Sequence, residues 1–458
     1  MGMDEAGARS LVQGPIARTL AVFTLPMMGG ALLQQSYNLA DMAIVGRFIG
    51  PQALAAVGAG YALIVLLVSV VQGLSMGCGT VFSQLYGAGR AESLRRSIFV
   101  AAVWVGGLSL LLQISVLLCL DAVLAAMQIP VEVYGMLHGY LQVVLGGFFF
   151  VFLYNFLAAV LRSVGDAVRP LYFLGVSVVL NIILDWLCVV VFGWGLAGAA
   201  WATVAAQGAA AVGLLVYACR ACPALCPRRE DMCLHGGGFS EIVSFSGLAC
   251  VQQSVMNFGI LMIQSLVNSF GTVVMAAFAV AVKIDAFAYM PVQEFGNAFS
   301  VFAAQNYGAG LGVRIRRGFR IALCMSVGLS LFVSVLVWLW AQPLMMLFVG
   351  PDATEVLAVG TEYLRIEGVF YAGIGVLFLF YGYYRAIRVP VLSVVLTVVS
   401  LGSRVALAYA LAPVDAFGVR AIWWSIPVGW LLADAVGFFY YRRTVGRVEA
   451  LRPMMGGH

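Results

Sequence analysis

Residues Gln84–Arg96 read QLYGAGRAESLRR, and residues Gln305–Arg317 read QNYGAGLGVRIRR. The likeness continues upstream at the same separation of 221 positions: Gly50 matches Gly271, Ala55 and Ala56 match Ala276 and Ala277, and Val71 and Gln72 match Val292 and Gln293. Twelve identities in the ungapped stretch 50–96 are too many for shared composition, so the chain is a duplication. Each motif closes a long apolar run with a glycine-rich turn and then paired arginines. Neither turn is followed by the Lys-Ser or Lys-Thr of a phosphate-binding loop, so both read as helix C-caps.

The runs that these motifs close belong to a membrane protein. Of 458 residues 63% are hydrophobic and 10% charged, with a mean hydropathy of +1.00, whereas soluble domains are about half apolar and about a quarter charged. That excludes a soluble enzyme. At about 20 residues per crossing, the apolar runs give twelve spans: 16–46, 53–84, 96–121, 133–161, 170–192 and 195–219, then 240–268, 274–305, 318–347, 361–385, 389–412 and 420–441.

Twenty of the 25 basic residues fall on one set of connections, and the alternate set carries Asp121, Glu132, Asp352, Glu355 and Asp415. The positive-inside rule then puts both termini in the cytoplasm. The first run continues through Ala21–Ala40, too long for a cleaved signal, so the first span is expected to serve as its own insertion signal. The arginine clusters are orientation signals, and no nucleic-acid partner is expected. The nine cysteines suggest no disulfide framework. Cys219, Cys222, Cys226, Cys233 and His235 crowd one loop, but their spacing is irregular for zinc, and reduced thiols are the expectation.

The repeat carries span 2 onto span 8, so each half is a six-span unit. The expected domains are residues 1–230 (spans 1–6) and 231–458 (spans 7–12). Six is even, so the halves insert with the same orientation about an axis along the membrane normal, with a cleft expected between them. With carboxylates inside the spans, this is transporter architecture. No Walker motif is present, so ATP is not the direct energy source, and no catalytic constellation argues for an enzyme.

Tyr37-Asn38-Leu39-Ala40-Asp41-Met42-Ala43-Ile44-Val45-Gly46-Arg47 resembles the first-span signature of the multidrug and toxic compound extrusion (MATE) transporters. Leu161–Asp166 is similar to that family's loop after span 4, Asn181–Asp185 to its span 5, and Gln305–Gly310 to the end of its span 8. The resemblance covers almost the whole chain. It implies an all-α membrane protein of twelve helices in two homologous six-helix lobes, which alternate between inward-open and outward-open shapes. The implied function is export of organic, often cationic, compounds from the cytoplasm, driven by H⁺ or Na⁺. A monomer in the bacterial inner membrane is expected, acting on small amphipathic molecules with no cofactor beyond the coupling ion. The nearest alternative is a lipid-linked oligosaccharide flippase of related architecture. Several arginines lining an intramembrane cavity would favour it, and Arg404 is the main candidate. An ion channel or a membrane-embedded enzyme are the rivals from other classes.

A carboxylate in hydrocarbon must face a wet cavity, find a partner or take a proton. Asp41, Asp185, Glu294 and Asp434 are the clearest such residues. Asp185 lies about 22 Å into span 5, roughly 8 Å short of the outer boundary, Thr203 lies about 12 Å down span 6, and Asp41 falls at similar depth. Asn181 and Asp185 stand at i and i+4 on one helical face. Two carboxylates, an amide oxygen and a hydroxyl offer ligands for Na⁺, or a pair whose repulsion favours a shared proton; an inter-helix hydrogen-bond network is the structural alternative. The resemblance assigns Asp41, Asn181, Asp185 and Thr203 to a cation site, Gln34, Tyr37 and Asn155 to the N-lobe cavity, and a bend in span 1 to Pro26. Met27 and Met28 suit either an adaptable pocket or packing. In the C-lobe, Glu294 is a candidate for substrate cation or proton, or else a partner of Arg404, as Asp434 is too. The sodium-coupled NorM branch of the family carries an acid in span 7, and residues 244–282 contain none, which weakens a C-lobe Na⁺ site.

Overall fold

In a bilayer the backbone finds no water, so every spanning segment must satisfy its own N–H and C=O groups. The computed structural model describes residues 11–232, 238–414 and 416–451, and all regular structure among them is helical. Ten helices are long and apolar enough to cross alone, and two bent pairs bring the spans to twelve. The first six spans are α1 (Ile16–Phe48), α2 (Pro51–Gly87), α3 (Ala91–Leu118, followed by the short α4, Leu120–Ala126), the bent pair α5 (Val131–Gly146) and α6 (Phe148–Ser163), α7 (Val168–Asp185) and α8 (Gly195–Ala221). The second six are α9 (Phe239–Asn268), α10 (Thr272–Gly308), α11 (Gly312–Met346), the bent pair α12 (Thr354–Val369) and α13 (Tyr371–Ala386), α14 (Pro390–Leu411) and α15 (Gly418–Glu449). Each helix or pair answers to one predicted span. Exposed side chains such as Leu110, Leu111 and Ile114 on α3 would be a liability in water and suit lipid.

Spans 4 and 10, read from the sequence as the continuous runs 133–161 and 361–385, are bent by 42° and 53°. The first break falls at Gly147, where a Cβ would lie 2.5 Å from Val204 Cγ1 of α8, so the close approach excludes any side chain. The second break, at Phe370, stands at nearly the same separation as the sequence repeat, so the bend belongs to the duplicated unit.

Both glycine-rich turns close their helices as C-caps. Gly89 and Gly310 have φ of 68° and 70°, a region that glycine enters without steric cost. The Arg90 N–H donates to Leu85 O at 3.1 Å and the Leu311 N–H to Asn306 O at 2.9 Å, satisfying carbonyls of the last turn.

By contacts the described chain forms two compact units, one of Leu25–Cys250 and the other of Leu11–Thr24 with Val251 onward. The division differs from a cut at residue 230, and the local reasons are visible within each unit. In the first, Gly73 and Gly77 of α2 let the backbone of early α9 approach so closely that a Cβ would meet Cys250 and Phe245. In the second, the Leu11 N–H donates to Gln305 Oε1 at 3.0 Å, and the Arg314 guanidinium donates to the carbonyls of Gln13 and Gly14 at 2.9 Å each. The second copy of the motif thus seats the chain entering α1.

Two carboxylates organise the connections of the first unit. Asp166 Oδ1 accepts from the N–H groups of Val168 and Arg169 at 3.2 Å each and so caps α7. Burial pushes its carboxyl up, against the pull of these donors and the Arg169 guanidinium. Asp231, buried in the turn Arg229–Asp231, pairs with Arg95 of α3 at 2.7 Å and accepts the Arg228 N–H at 2.9 Å. The hydrogen bond from Arg95 holds its carboxyl below the usual range.

Candidate cation site in the first unit

The α7 helix is polar inside and apolar outside. Its buried residues include Ser177, Val178, Asn181 and Asp185, spaced to lie along one face. Tyr172, Val176, Val179 and Ile183 are exposed, which places apolar surface toward lipid. Directly after Asp185 the helix widens into a π-helical stretch, Trp186–Val191, a distortion common where a helix serves a site. Opposite, α8 presents the small residues Gly198, Ala199, Ala200, Ala202 and Ala206 around Thr203, all buried, so the two helices pack closely.

Against this wall lies the part of α1 that belongs to the same unit. The Asp41 and Asp185 carboxyls lie within electrostatic reach of each other. Asp185 is fully buried and Asn181 is 1% exposed. Asp41 Oδ1, both Asp185 oxygens and both Asn181 amide atoms find no hydrogen-bond partner. The Tyr37 hydroxyl donates to Thr203 Oγ1 at 3.3 Å. Among the described residues, no basic side chain pairs with either carboxyl or acts on it electrostatically. A buried and a half-buried acid with no cation beside them among the described residues, next to an unpaired amide, need a proton or a positive ion to be stable. The buried Tyr140 of α5 lies within electrostatic reach of Tyr37, Asp41 and Asp185. Sequence reasoning misses it, since a lone tyrosine in an apolar run carries no signal of its own.

The remaining candidates sit as follows. Gln34 is half-buried on α1, one turn before Tyr37. The Asn155 amide donates to Val151 O of its own helix at 2.8 Å. Pro26 lies inside α1, next to the residue at which the helix passes from the contacts of one unit to those of the other. Met27 is buried and Met28 half-buried. The thiols of Cys219, Cys222 and Cys226 are free, and no group of three metal-ligating side chains occurs among the described residues. Cys233 and His235 lie outside the described residues.

The second unit is arranged differently. Glu294 accepts from Asn297 Nδ2 at 3.2 Å, and Asn297 Oδ1 accepts from the buried Arg385 at 3.3 Å. Arg385, not Arg404, is therefore the arginine beside Glu294. Arg404 also forms no ion pair with Asp434 among the described residues. It lies within electrostatic reach of two acids that the sequence reading overlooks, Asp285 of α10 and Glu367 of α12. Both are buried, and Tyr371 donates to Asp285 Oδ1 at 2.6 Å. Asp285 stands beyond the span 7 segment in which an acid was sought. Glu367 sits among charged residues, Glu355, Glu362 and Arg365, which make its helix look like a surface segment. This second pair of acids has a cation of its own.

The MatE family model matches the chain twice, over residues 26–187 and 249–410, two stretches of equal length that restate the duplication. A probable multidrug resistance protein, YpnP, of Bacillus subtilis (strain 168) is 29% identical over 454 residues, covering 97% of this chain and 98% of that one. The FAD transporter of Shewanella oneidensis is 23% identical, with 96% and 97% covered. A multidrug resistance MATE family transporter of the MOP superfamily, solved in an outward-facing conformation, superposes with a TM-score of 0.90 at 22% identity, over 97% of this chain and 99% of that one.

Proposed function

The chain belongs to the MatE family, and we propose that within it this multi-pass membrane protein is an antiporter that exports amphipathic organic compounds, cations foremost, in exchange for H⁺ or Na⁺. The observation that carries the reading is the pair Asp41, half-buried, and Asp185, fully buried, which lie within electrostatic reach of each other with no basic partner among the described residues. In this reading the pair is the coupling site. A proton shared between the carboxyls, or Na⁺ held by them with Asn181 and Thr203, supplies the missing positive charge. Loading and release then differ in the charge left in hydrocarbon, and that difference drives the alternation between facing states. In this reading Pro26 lets α1 bend, and α1 carries Tyr37 and Asp41 and so feels the loading directly. Gln34, Tyr37 and Asn155 border the substrate cavity.

In the second unit, Asp285 and Glu367 lie within electrostatic reach of Arg404, and Glu294 lies beside Arg385. Resident guanidiniums compensate these acids, so the reading gives them a structural role and leaves coupling to the first unit. The flippase alternative asks for several arginines lining an intramembrane cavity, and Arg404, set against two buried acids, does not supply them. Both termini face the cytoplasm of a bacterium by the distribution of arginine, and the protein acts as a monomer.

The test is uptake of a fluorescent organic cation into proteoliposomes under an imposed pH gradient or an imposed Na⁺ gradient. Uptake driven by one gradient and not the other supports antiport and names the ion. Uptake indifferent to both, in folded protein, overturns the reading. An organic anion run in parallel bears on substrate charge, since one relative is an FAD transporter.

A further inference from the structure

Within the second unit, a cavity of about 880 Å³ opens where the end of α11, the whole of α12 and the start of α15 meet. Two of its lining residues are arginines, Arg365 and Arg420. Both belong to the minority of basic residues that lie away from the arginine-rich connections, at the end of the spans where base is scarce. Arg420 is neutralised by Glu362 at 2.6 Å. Arg365 has no acidic partner among the described residues; it is exposed and lies over the Trp338 ring at 5.6 Å. The cavity thus holds one uncompensated positive charge.

Its surroundings place it at the edge of the hydrocarbon. Trp424 lines it and Trp338 lies under Arg365, each about half exposed, and tryptophan concentrates where acyl chains give way to headgroups. Met346, Leu357, Ile366, Val369 and Phe370 give the wall an apolar side beside the Trp424 ring, and Gln342, Thr354 and Thr361 are its neutral polar groups. A guanidinium beside a neutral ion pair fits one phosphodiester, while the apolar side fits the first part of an acyl chain.

We propose that this cavity is a binding site for the headgroup of an anionic glycerophospholipid, with Arg365 as its phosphate ligand and Arg420 and Trp424 at its rim. The leaflet follows from the orientation proposed above and is the outer one. Binding itself depends on neither orientation nor transport.

The test is titration of the purified full chain in detergent with phosphatidylglycerol, read by native mass spectrometry, in wild type, Arg365→Gln and Arg365→Lys. Loss of one charge-assisted contact weakens binding about tenfold in Arg365→Gln. Arg365→Lys, which keeps the charge, stays closer to wild type and separates loss of the ligand from loss of the fold. Phosphatidylcholine binds more weakly than phosphatidylglycerol, and inorganic phosphate does not displace the lipid. Equal affinity of wild type and Arg365→Gln, equal affinity for the two lipids, or displacement by inorganic phosphate would each overturn the proposal.

Discussion

The Tyr37 hydroxyl of α1 donates to the Thr203 hydroxyl of α8 across 3.3 Å, and this bond ties the first span to the wall that holds Asn181 and Asp185. It fixes the height at which Asp41 meets its partner. Tyr37→Phe removes the donor while keeping the ring. A net hydrogen bond is worth about 1 kcal/mol, so the coupling-ion concentration giving half-maximal transport is expected to rise about fivefold with the maximal rate largely kept. An unchanged half-maximal concentration in the proteoliposome assay would detach this bond from the ion site.

Arg404 is the resident cation of the second unit's buried acids. Arg404→Leu takes away the positive charge within electrostatic reach of the buried Asp285 and Glu367, and buried acids left without that compensation destabilise the fold. The expected outcome is a large drop in melting temperature in detergent, largely restored by adding Asp285→Asn and Glu367→Gln. A stable single variant would show that these acids do not depend on Arg404.

The bend between α5 and α6 requires Gly147, since a Cβ there would meet Val204. Gly147→Ala is expected to destabilise the protein by about 1–3 kcal/mol through overpacking, and Val204→Ala to relieve most of that loss. Thermal melts of the two single variants and the double variant measure the coupling. Additive losses would show that the contact does not set the bend.

The Arg95–Asp231 pair anchors the turn after α8, and Arg95 holds the Asp231 carboxyl below its unfolded value. A depressed carboxyl contributes stability that is fully present above the unfolded value of about 4 and is lost as pH falls through the folded value. Amide hydrogen exchange in residues 222–232 should therefore show protection at neutral pH that falls away in acid, and Asp231→Asn should reduce the protection at neutral pH and flatten the dependence. Equal protection in both proteins at neutral pH would contradict the anchoring role.

Much of this arrangement is legible in the chain itself. Helix ends follow from apolar length, the duplication from the motifs at Gln84 and Gln305, and the shared face of Asn181 and Asp185 from their spacing. The bends were not legible, because Gly147 forms its tight contact with a residue of another span, and pairwise contact leaves no local mark. The same applies to Tyr140 beside Asp41, and to Arg404, whose partners Asp285 and Glu367 come from two other helices. Glu294 lies within α10, yet the arginine beside it, Arg385, lies two spans away in sequence. Spacing on one helix reveals a face, and only the fold decides which faces meet.

In the proposed mechanism the Asp41–Asp185 pair couples the ion gradient to transport. The decisive experiment is Asp41→Asn in the proteoliposome assay, with equilibrium binding of the same fluorescent cation measured in parallel. The variant is expected to fold and bind the dye but no longer to accumulate it in response to the gradient. Gradient-driven accumulation at the wild-type rate in Asp41→Asn would contradict it.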